Sequence, residues 1–215
     1  MSSAETKRAR LRCTIDLLTQ EIAKGMLAVT TAERLHRAYS DDGLGSALYF
    51  FATVAVCCTD AMLLSFSKVF ARRGSSISIE YLLNCAQSDP STFPYVDGSE
   101  LLAKVGEHRK DLCRVEPLAE LVLPHRDKLL AHLDRMLVNR PEEIAGLLAA
   151  IPYDQVSKAL DGGLAIVGCY RRYLDHAEFF FEKTRGPRGG LSQDLDYLFG
   201  LIELDNARSD CFEDS

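Results

Sequence analysis

The helical spacing of the apolar residues is the feature that most constrains what this 215-residue chain can fold into. Near the N-terminus, apolar residues recur every three or four positions and so share one face of a helix. This stripe comprises Leu11, Ile15, Leu18, Ile22 and Met26. No segment of useful length alternates apolar and polar residues as a half-buried strand does. The sequence therefore predicts an all-α fold whose helices share one core.

Caps and helix breakers divide the chain into predicted helices. Thr30 and Glu33 match a capping box, which predicts a kink or a short second segment as far as about Tyr39. Pro117 and Pro124 predict kinks or restarts, because proline lacks a backbone donor and clashes with the preceding turn. The later helices are predicted over about 44–71, 77–87, 99–115, 124–137, 141–151, 153–183 and 192–207, with Ser99 and Ser192 as caps.

Length and composition favour one globular domain, which we place at residues 1–207, followed by a frayed tail at 208–215. The seven cysteines are odd in number and lack zinc-binding spacing, which predicts reduced thiols in a cytoplasmic protein. We expect no metal and no cofactor. The net charge of −6 argues against a broad, sequence-independent grip on nucleic acid, but it leaves room for a local basic patch.

The uncharged stretch from Gly43 to Thr59 raises the question of a membrane span. It reaches only the lower length limit for crossing a bilayer, and it contains glycine, serine and threonine. The N-terminus has no apolar core and does not resemble a secretory signal. We therefore expect a core helix, buried by the domain or by a second subunit, and no membrane partner.

One predicted helix, around residues 125–135, departs from this simple pattern. Its apolar face carries Leu129, Leu130 and Leu133, yet Arg126 projects into the middle of that face. A buried cation is costly unless it is paired, so Asp127 or a carboxylate from another helix is expected to hold it. A neighbouring polar stripe holds His125, Lys128, His132 and Arg135.

On an ideal helix Arg126 and His132 are about 9 Å apart along the axis and differ by roughly 120° in direction. Their side chains can meet within one chain only if Arg126 lies outside the regular helix or if its long side chain swings round. Alternatively, a second subunit could complete the site. From spacing alone a structural interpretation stays open, in which Arg126 is an ion-paired anchor and His132 a surface or interface histidine.

The arrangement of Arg126, the polar Asp127 and His132 after a gap of five residues resembles the motif of HEPN proteins. The surrounding text is similar to the abortive-infection, AbiU-type branch of that superfamily, over roughly Leu11 to Leu204. The segments that carry the resemblance are 47–70, 76–83, 125–134 and 151–156. The resemblance implies a HEPN-like helical bundle with additional helices.

The resemblance also implies a function, a metal-independent endoribonuclease of a phage-defence or toxin system. Such proteins usually form homodimers that cleave an RNA substrate, and a protein antitoxin or regulator controls them. His132 would move the proton of the RNA 2′-hydroxyl, Arg126 would stabilise the phosphate, and Asp127 would orient one of them. The local basic patch for RNA would comprise Lys128, His125 and Arg135.

Two alternatives stay open beside this hypothesis. Some HEPN toxins carry a tyrosine two residues after the histidine, whereas this chain has Asp134 there, which places negative charge near the expected phosphate. The first alternative is a catalytically inactive HEPN-like module that binds a protein or RNA partner. The second is a helical-bundle interaction protein in which the motif is accidental.

Overall fold

The computed structural model is an all-α bundle, described over residues 3–40, 48–71, 77–139 and 150–176. Within these ranges the side chains of residues 3, 38–40, 48–49 and 123–139 are not described. The described part contains helices α1 (Ser3–Ser40), α2 (Leu48–Val69), α3 (Ile79–Ser88), α4 (Gly98–Asn139) and α5 (Tyr153–Asp175). Of the described residues, 89% are helical and none is in a strand, which confirms the predicted fold class.

Helix α1 is continuous where the sequence predicted a break. The hydroxyl of Thr30 donates a hydrogen bond to the carbonyl of Met26 at 2.9 Å, and Glu33 pairs with Arg37 one turn later. Neither side chain caps a new helix. The predicted capping box at Thr30 is therefore wrong, because the hydroxyl is satisfied inside the helix by the carbonyl four residues before it.

Helix α4 is also continuous and runs through both Pro117 and Pro124. A restart at either proline is therefore wrong, whereas the alternative of a kink stays a prediction. Each proline removes one backbone hydrogen bond, whereas Leu112 and Val122 on either side of Pro117 are buried in the core and keep the helix in place. At the other end of α4, Asp97 accepts hydrogen bonds from the Ser99 backbone and hydroxyl, so Asp97 is the capping residue that the sequence assigned to Ser99.

Close packing around α5 fixes the centre of the bundle. Gly163 lies so close to α3 that a Cβ there would meet Ile79 Cδ1 at 3.1 Å, and it also faces Ile22 of α1. Helix α5 therefore passes through the glycine pair at 162 and 163 without a break, and the missing side chain lets the helices approach. The helix ends where His176 adopts a left-handed backbone with φ of 54°.

Contacts between helices fix their directions. Lys68 of α2 bonds to Glu21 and Ser65 faces Gly25, so α1 and α2 are antiparallel. Ion pairs at the start of α1 reach the end of α5, and Gly25 faces Leu160, so α1 and α5 are antiparallel too. The backbone of Tyr95, just before α4, donates to the carbonyl of Tyr173 near the end of α5, and later residues of α4 share a cleft with earlier residues of α5. Helix α4 is therefore antiparallel to both α5 and α2.

The bundle accordingly has two halves. The first holds the start of α1 and the end of α5, including Arg12, Asp16, Arg171 and Asp175, and is called the paired half. The second holds the C-terminal part of α4 (residues 122–139), the start of α5 and the middle of α2 at Asp60, and is called the motif half.

Helix α2 has one buried and one exposed face. Phe66, Leu63 and Val56 are buried in the core. On the opposite face Phe50 is 65% exposed and Leu64 39% exposed. By length and composition alone, the segment Phe50–Val69 could cross a membrane. The predicted core helix is thus confirmed for the inner face, whereas cover of the outer face by a second subunit stays a prediction.

The predicted break at 41–43, the predicted helices starting at Pro141 and Ser192, and the predicted tail at 208–215 lie outside the described residues.

Candidate functional site

The candidate site lies in the C-terminal part of α4, and the register of this helix determines which way it faces. Leu112, Val115, Ala119 and Val122 follow one another at spacings of three and four, and Val122 is fully buried. Arg126 takes the next place on this stripe, before Leu129 and Leu133. Because the backbone is helical to Asn139, the register places Arg126 on the face that α4 turns to the bundle.

The remaining candidate residues keep the positions on α4 that an ideal helix gives them. His125, Lys128, His132 and Arg135 follow one another at spacings of three, four and three, so they share a second face of the continuous helix. Asp127 lies about 100° from Arg126 around the axis. The side chains of all six residues fall outside the described part, so contacts among them stay a prediction.

Continuity of α4 removes one route by which the motif residues were expected to converge. Arg126 lies inside a regular helix and not in a first turn after Pro124, because no new helix starts at that proline. Arg126 and His132 keep their separation of about 9 Å along the axis and 120° around it. A swinging Arg126 side chain or a second copy of the chain remains as the route to a shared site.

Asp60 of α2 is a functional candidate that the sequence reasoning missed. Its Oδ1 atom is buried and has no hydrogen-bond partner among the described side chains. Burial raises the pKa of its carboxyl above the ordinary value. A signal was present in the sequence, because Asp60 is the single charged residue between Gly43 and Ser67. A lone acid in so apolar a helix needs a partner or a function.

Thr59, Tyr153 and His36 lie close to one another near the start of α5. The hydroxyls of Thr59 and Tyr153 are 3.5 Å apart, and the ring of His36 lies 6.3 Å from the Tyr153 ring. Burial raises the pKa of Tyr153, so this phenol stays neutral at physiological pH. Among the described residues, these groups contribute packing at the start of α5.

In the paired half, several ion pairs join the helices. Asp175 lies 2.6 Å from Arg12 and 3.1 Å from Arg171, and Arg171 also reaches Asp16 at 2.7 Å. Lys7 pairs with Asp89 at 2.8 Å. These basic side chains are held by carboxylates, so this region is a poor candidate for the basic patch that RNA would need.

A cleft of 460 Å³ separates α4 from α5 at the level of His108. The Nδ1 atom of His108 lies 3.3 Å from the Tyr170 hydroxyl, and burial lowers the pKa of this histidine. The contact with a fully buried tyrosine gives His108 a structural role. Lys104 and Lys158 at the cleft edge pair with Glu107 and Asp154.

No group of three metal-ligating side chains is found within the part of the chain that the structure describes. The six cysteines described there are free thiols, as the sequence predicted.

Comparison with known proteins identifies one family. The family model HEPN_AbiU2, described as AbiU2, matches residues 14–184, about four fifths of the chain. The matched range contains the whole of α2 to α5 and the segment from His125 to Arg135. No curated protein and no solved structure shows a significant match.

Proposed function

Because the chain belongs to the AbiU2 family of HEPN domains, we propose that it is a metal-independent endoribonuclease of a phage-defence or toxin system. The observation that carries this proposal is the position of the Arg126 and His132 motif on a continuous helix inside the matched region. The register turns one of the two residues towards the core and the other towards a polar stripe. These two positions suit an arginine that is anchored on the core-facing side of α4 and stabilises the phosphate, and a histidine that contacts the substrate.

The proposed reaction is transfer of a phosphodiester to the neighbouring ribose hydroxyl. His132, whose type titrates near neutral pH, accepts the proton of the 2′-hydroxyl. The 2′-oxygen forms a bond to phosphorus while the bond to the 5′-oxygen breaks, and that oxygen leaves with a proton from a protonated histidine. The products are a 2′,3′-cyclic phosphate and a 5′-hydroxyl. Arg126 stabilises the charge that develops on the phosphate oxygens, and Asp127 orients the motif.

We further propose that the active form is a cytoplasmic homodimer in which two motifs share one cleft. Separation of Arg126 and His132 on a regular helix supports this, because a second copy supplies the missing direction of approach. Pairing also doubles the patch of Lys128, His125 and Arg135, which offsets the net charge of −6 locally.

Cleavage of mixed RNA by the purified protein in EDTA tests the proposal. The parent protein is expected to cleave, and Arg126→Ala and His132→Ala are expected not to cleave while keeping the helical circular dichroism spectrum of the parent. The matched control is Arg114→Ala, which removes an exposed arginine of α4 that pairs with Asp111. Equal cleavage by the parent and both motif variants would overturn the proposal.

A second candidate function is that of a non-catalytic module which binds a protein partner such as a regulator. The exposed apolar face of α2, with Phe50 and Leu64, favours this alternative. It predicts that no form of the protein cleaves RNA, while Phe50→Ser weakens association with the partner or with a second copy. Motif-dependent RNA cleavage would exclude it.

A further inference from the structure

One face of α2 is exposed to solvent and carries no charge over most of its length. Its exposed side chains recur at spacings of three and four residues, so they form one stripe along the helix. Their directions around the axis differ by no more than about 80°. A stripe this narrow is typical of a helix that packs against one other helix. The stripe, called the outer stripe, comprises Phe50, Thr53, Cys57, Ala61 and Leu64.

Polar groups border the outer stripe without interrupting it. The next exposed residue on this face is Lys68, which bonds to Glu21 of α1 at 3.2 Å. Asp60, the single charged residue in this part of α2, lies about 60° from Cys57 around the axis and is partly buried. An apolar centre with a polar rim is the usual composition of a protein–protein interface.

The outer stripe is symmetric about Cys57. Phe50 and Leu64 lie seven residues before and after it, and both have large apolar side chains. Thr53 and Ala61 lie four residues before and after it, and both are small. When two copies of α2 lie antiparallel and meet at Cys57, Phe50 of each copy therefore faces Leu64 of the other. The small residues between these two contacts let the helices approach closely.

We propose that a second copy of this chain packs on the outer stripe, antiparallel to the first, with a two-fold axis at Cys57. A two-fold dimer needs one patch that is complementary to itself, and the symmetry of the stripe provides it. A partner of different sequence needs no such symmetry. A lipid surface needs a broad apolar face, whereas the inner face of α2, with Leu63 and Phe66, is already buried in the core.

The same axis brings α4 of the two copies together. It is perpendicular to α2, and rotation about it leaves α4 on the same side of α2 in both copies. The C-terminal part of α4 lies beside the middle of α2, so the two C-terminal parts become neighbours. The pairing of α2 rests on its own exposed side chains, whereas its role in bringing two motifs together rests on the proposed ribonuclease function.

The size of the outer stripe sets the expected strength of the dimer. From Phe50 to Leu64 the stripe is about 21 Å long at 1.5 Å per residue. With a width of about 10 Å, it is smaller than the surface of about 800 Å² that each partner buries in a typical stable complex. Contact between the two α4 helices adds area. We therefore expect a reversible dimer with a dissociation constant on the order of micromolar.

Oxidative cross-linking tests the register of the pair. With copper phenanthroline as the oxidant, the Cys57 thiols of two copies should each lose a proton and together give up two electrons to form one disulfide. A covalent dimer is expected on a non-reducing gel for the parent and not for Cys57→Ser. Cys13→Ser, the matched control, removes an exposed cysteine of α1 outside the stripe and should leave cross-linking unchanged. A dimer joined through another cysteine, or no dimer, would overturn the proposal.

Complementary charges test the contact between Phe50 and Leu64. Phe50→Asp and Leu64→Lys each place an unpaired charge in the stripe, so each variant alone should associate at least about tenfold more weakly than the parent. In a mixture of the two variants, one contact becomes an ion pair and the other stays apolar, so a heterodimer should form. Sedimentation velocity measures both effects.

A matched variant controls for the added charge. Leu27→Lys changes an exposed leucine of α1 outside the stripe and should associate as the parent does. All three positions are exposed, so each variant should keep the helical circular dichroism spectrum of the parent. Association of Phe50→Asp or Leu64→Lys alone at the strength of the parent, or no recovery on mixing, would overturn the proposed register.

Cleavage assays separate this proposal from the proposed function. RNA cleavage by a parent that stays monomeric and does not cross-link would refute the pair and keep the function. Cross-linking through Cys57 without cleavage by any form would support the pair and refute the function. Binding of the parent to phosphatidylglycerol and phosphatidylcholine vesicles, lost in Phe50→Asp and with no dimer in solution, would assign the stripe to a lipid surface and overturn the proposal.

Discussion

Where α5 ends, Asp175 accepts a hydrogen bond from Arg12 and lies within 3.1 Å of Arg171, whereas in the middle of α2 the partly buried Asp60 has one oxygen, Oδ1, with no donor among the described side chains. The two acids belong to the same bundle and differ in what surrounds them. In the paired half, charged side chains form ion pairs that hold helices together. The motif half keeps a charge in an apolar place, which is typical of a site whose residues serve a reaction as well as the fold.

Loss of His132 should produce the largest effect and should separate the two halves most clearly. His132→Ala is expected to reduce RNA cleavage by about 100-fold or more, because it removes the proton-transfer group. The free energy of unfolding should stay unchanged, since the residue lies on the polar stripe of α4. Cleavage rates and urea unfolding curves check this, with His176→Asn as control at a left-handed position that asparagine tolerates. A large loss of stability would instead make His132 a structural residue.

Loss of Asp175 should lower stability and leave RNA cleavage unchanged, which is the reverse of the effect expected for His132→Ala. Asp175→Asn is expected to lower the free energy of unfolding by about 1–2 kcal/mol, because it removes the acid shared by Arg12 and Arg171. The side chain of Asp175 is 13% exposed, so salt should reduce the effect only in part. Urea unfolding at low and high salt measures this, and the cleavage rate of the folded protein should equal that of the parent. A change in that cleavage rate would show that the paired half contributes to activity as well as to stability.

The pH dependence of Glu21 gives a smaller test of the paired contacts. Burial alone would raise the pKa of Glu21, but hydrogen bonds from Lys24 and Lys68 outweigh it, so the pKa lies below the ordinary 4.5. A lowered folded-state pKa means that the contribution is present above pH 4.5 and is lost as pH falls through the folded-state value. Glu21→Gln should therefore cost up to about 1 kcal/mol at pH 7.

The difference between Glu21→Gln and the parent should shrink as urea unfolding is repeated at pH values from 5 down to 3. A difference that grows towards low pH would show that the lysines do not stabilise the carboxylate.

Tyr153→Phe should have the smallest effect. Its hydroxyl lies 3.5 Å from that of Thr59, which already donates to the carbonyl of Ala55 at 2.9 Å. Removing so long a contact should change the free energy of unfolding by less than about 0.5 kcal/mol, below the usual contribution of a hydrogen bond. Thermal unfolding checks this. A larger loss would show that the motif half is held by its polar contacts as firmly as the paired half.

Local patterns predicted much of the fold. The stripe of Leu11, Ile15 and Ile22 is buried as its spacing required, and α2 and α3 were predicted near their observed limits. Helix α5 was predicted from its observed first residue, Tyr153, but as far as residue 183, whereas it ends at Asp175. The errors came where tertiary packing outweighs a local signal. Pro117 and Thr30 are breakers or caps by local rules, yet each lies inside a long helix that the rest of the bundle holds.

The candidate site divides in the same way. Spacing along one helix was enough to identify Arg126, His132 and their polar neighbours, because all of them belong to one continuous segment. Asp60 was missed because the burial of its Oδ1 atom depends on how other helices pack against α2. That packing is set by long-range contacts such as those of Glu21 with Lys68 and of Tyr95 with Tyr173, which a single sequence does not state.

Analysis of the RNA ends produced in EDTA tests the central claim most directly. The proposed reaction predicts that the parent leaves 2′,3′-cyclic phosphate and 5′-hydroxyl ends without added metal, and that His132→Ala leaves none while unfolding at the same urea concentration. Cleavage that requires a divalent metal, that leaves 3′-hydroxyl ends, or that continues unchanged in His132→Ala would contradict it.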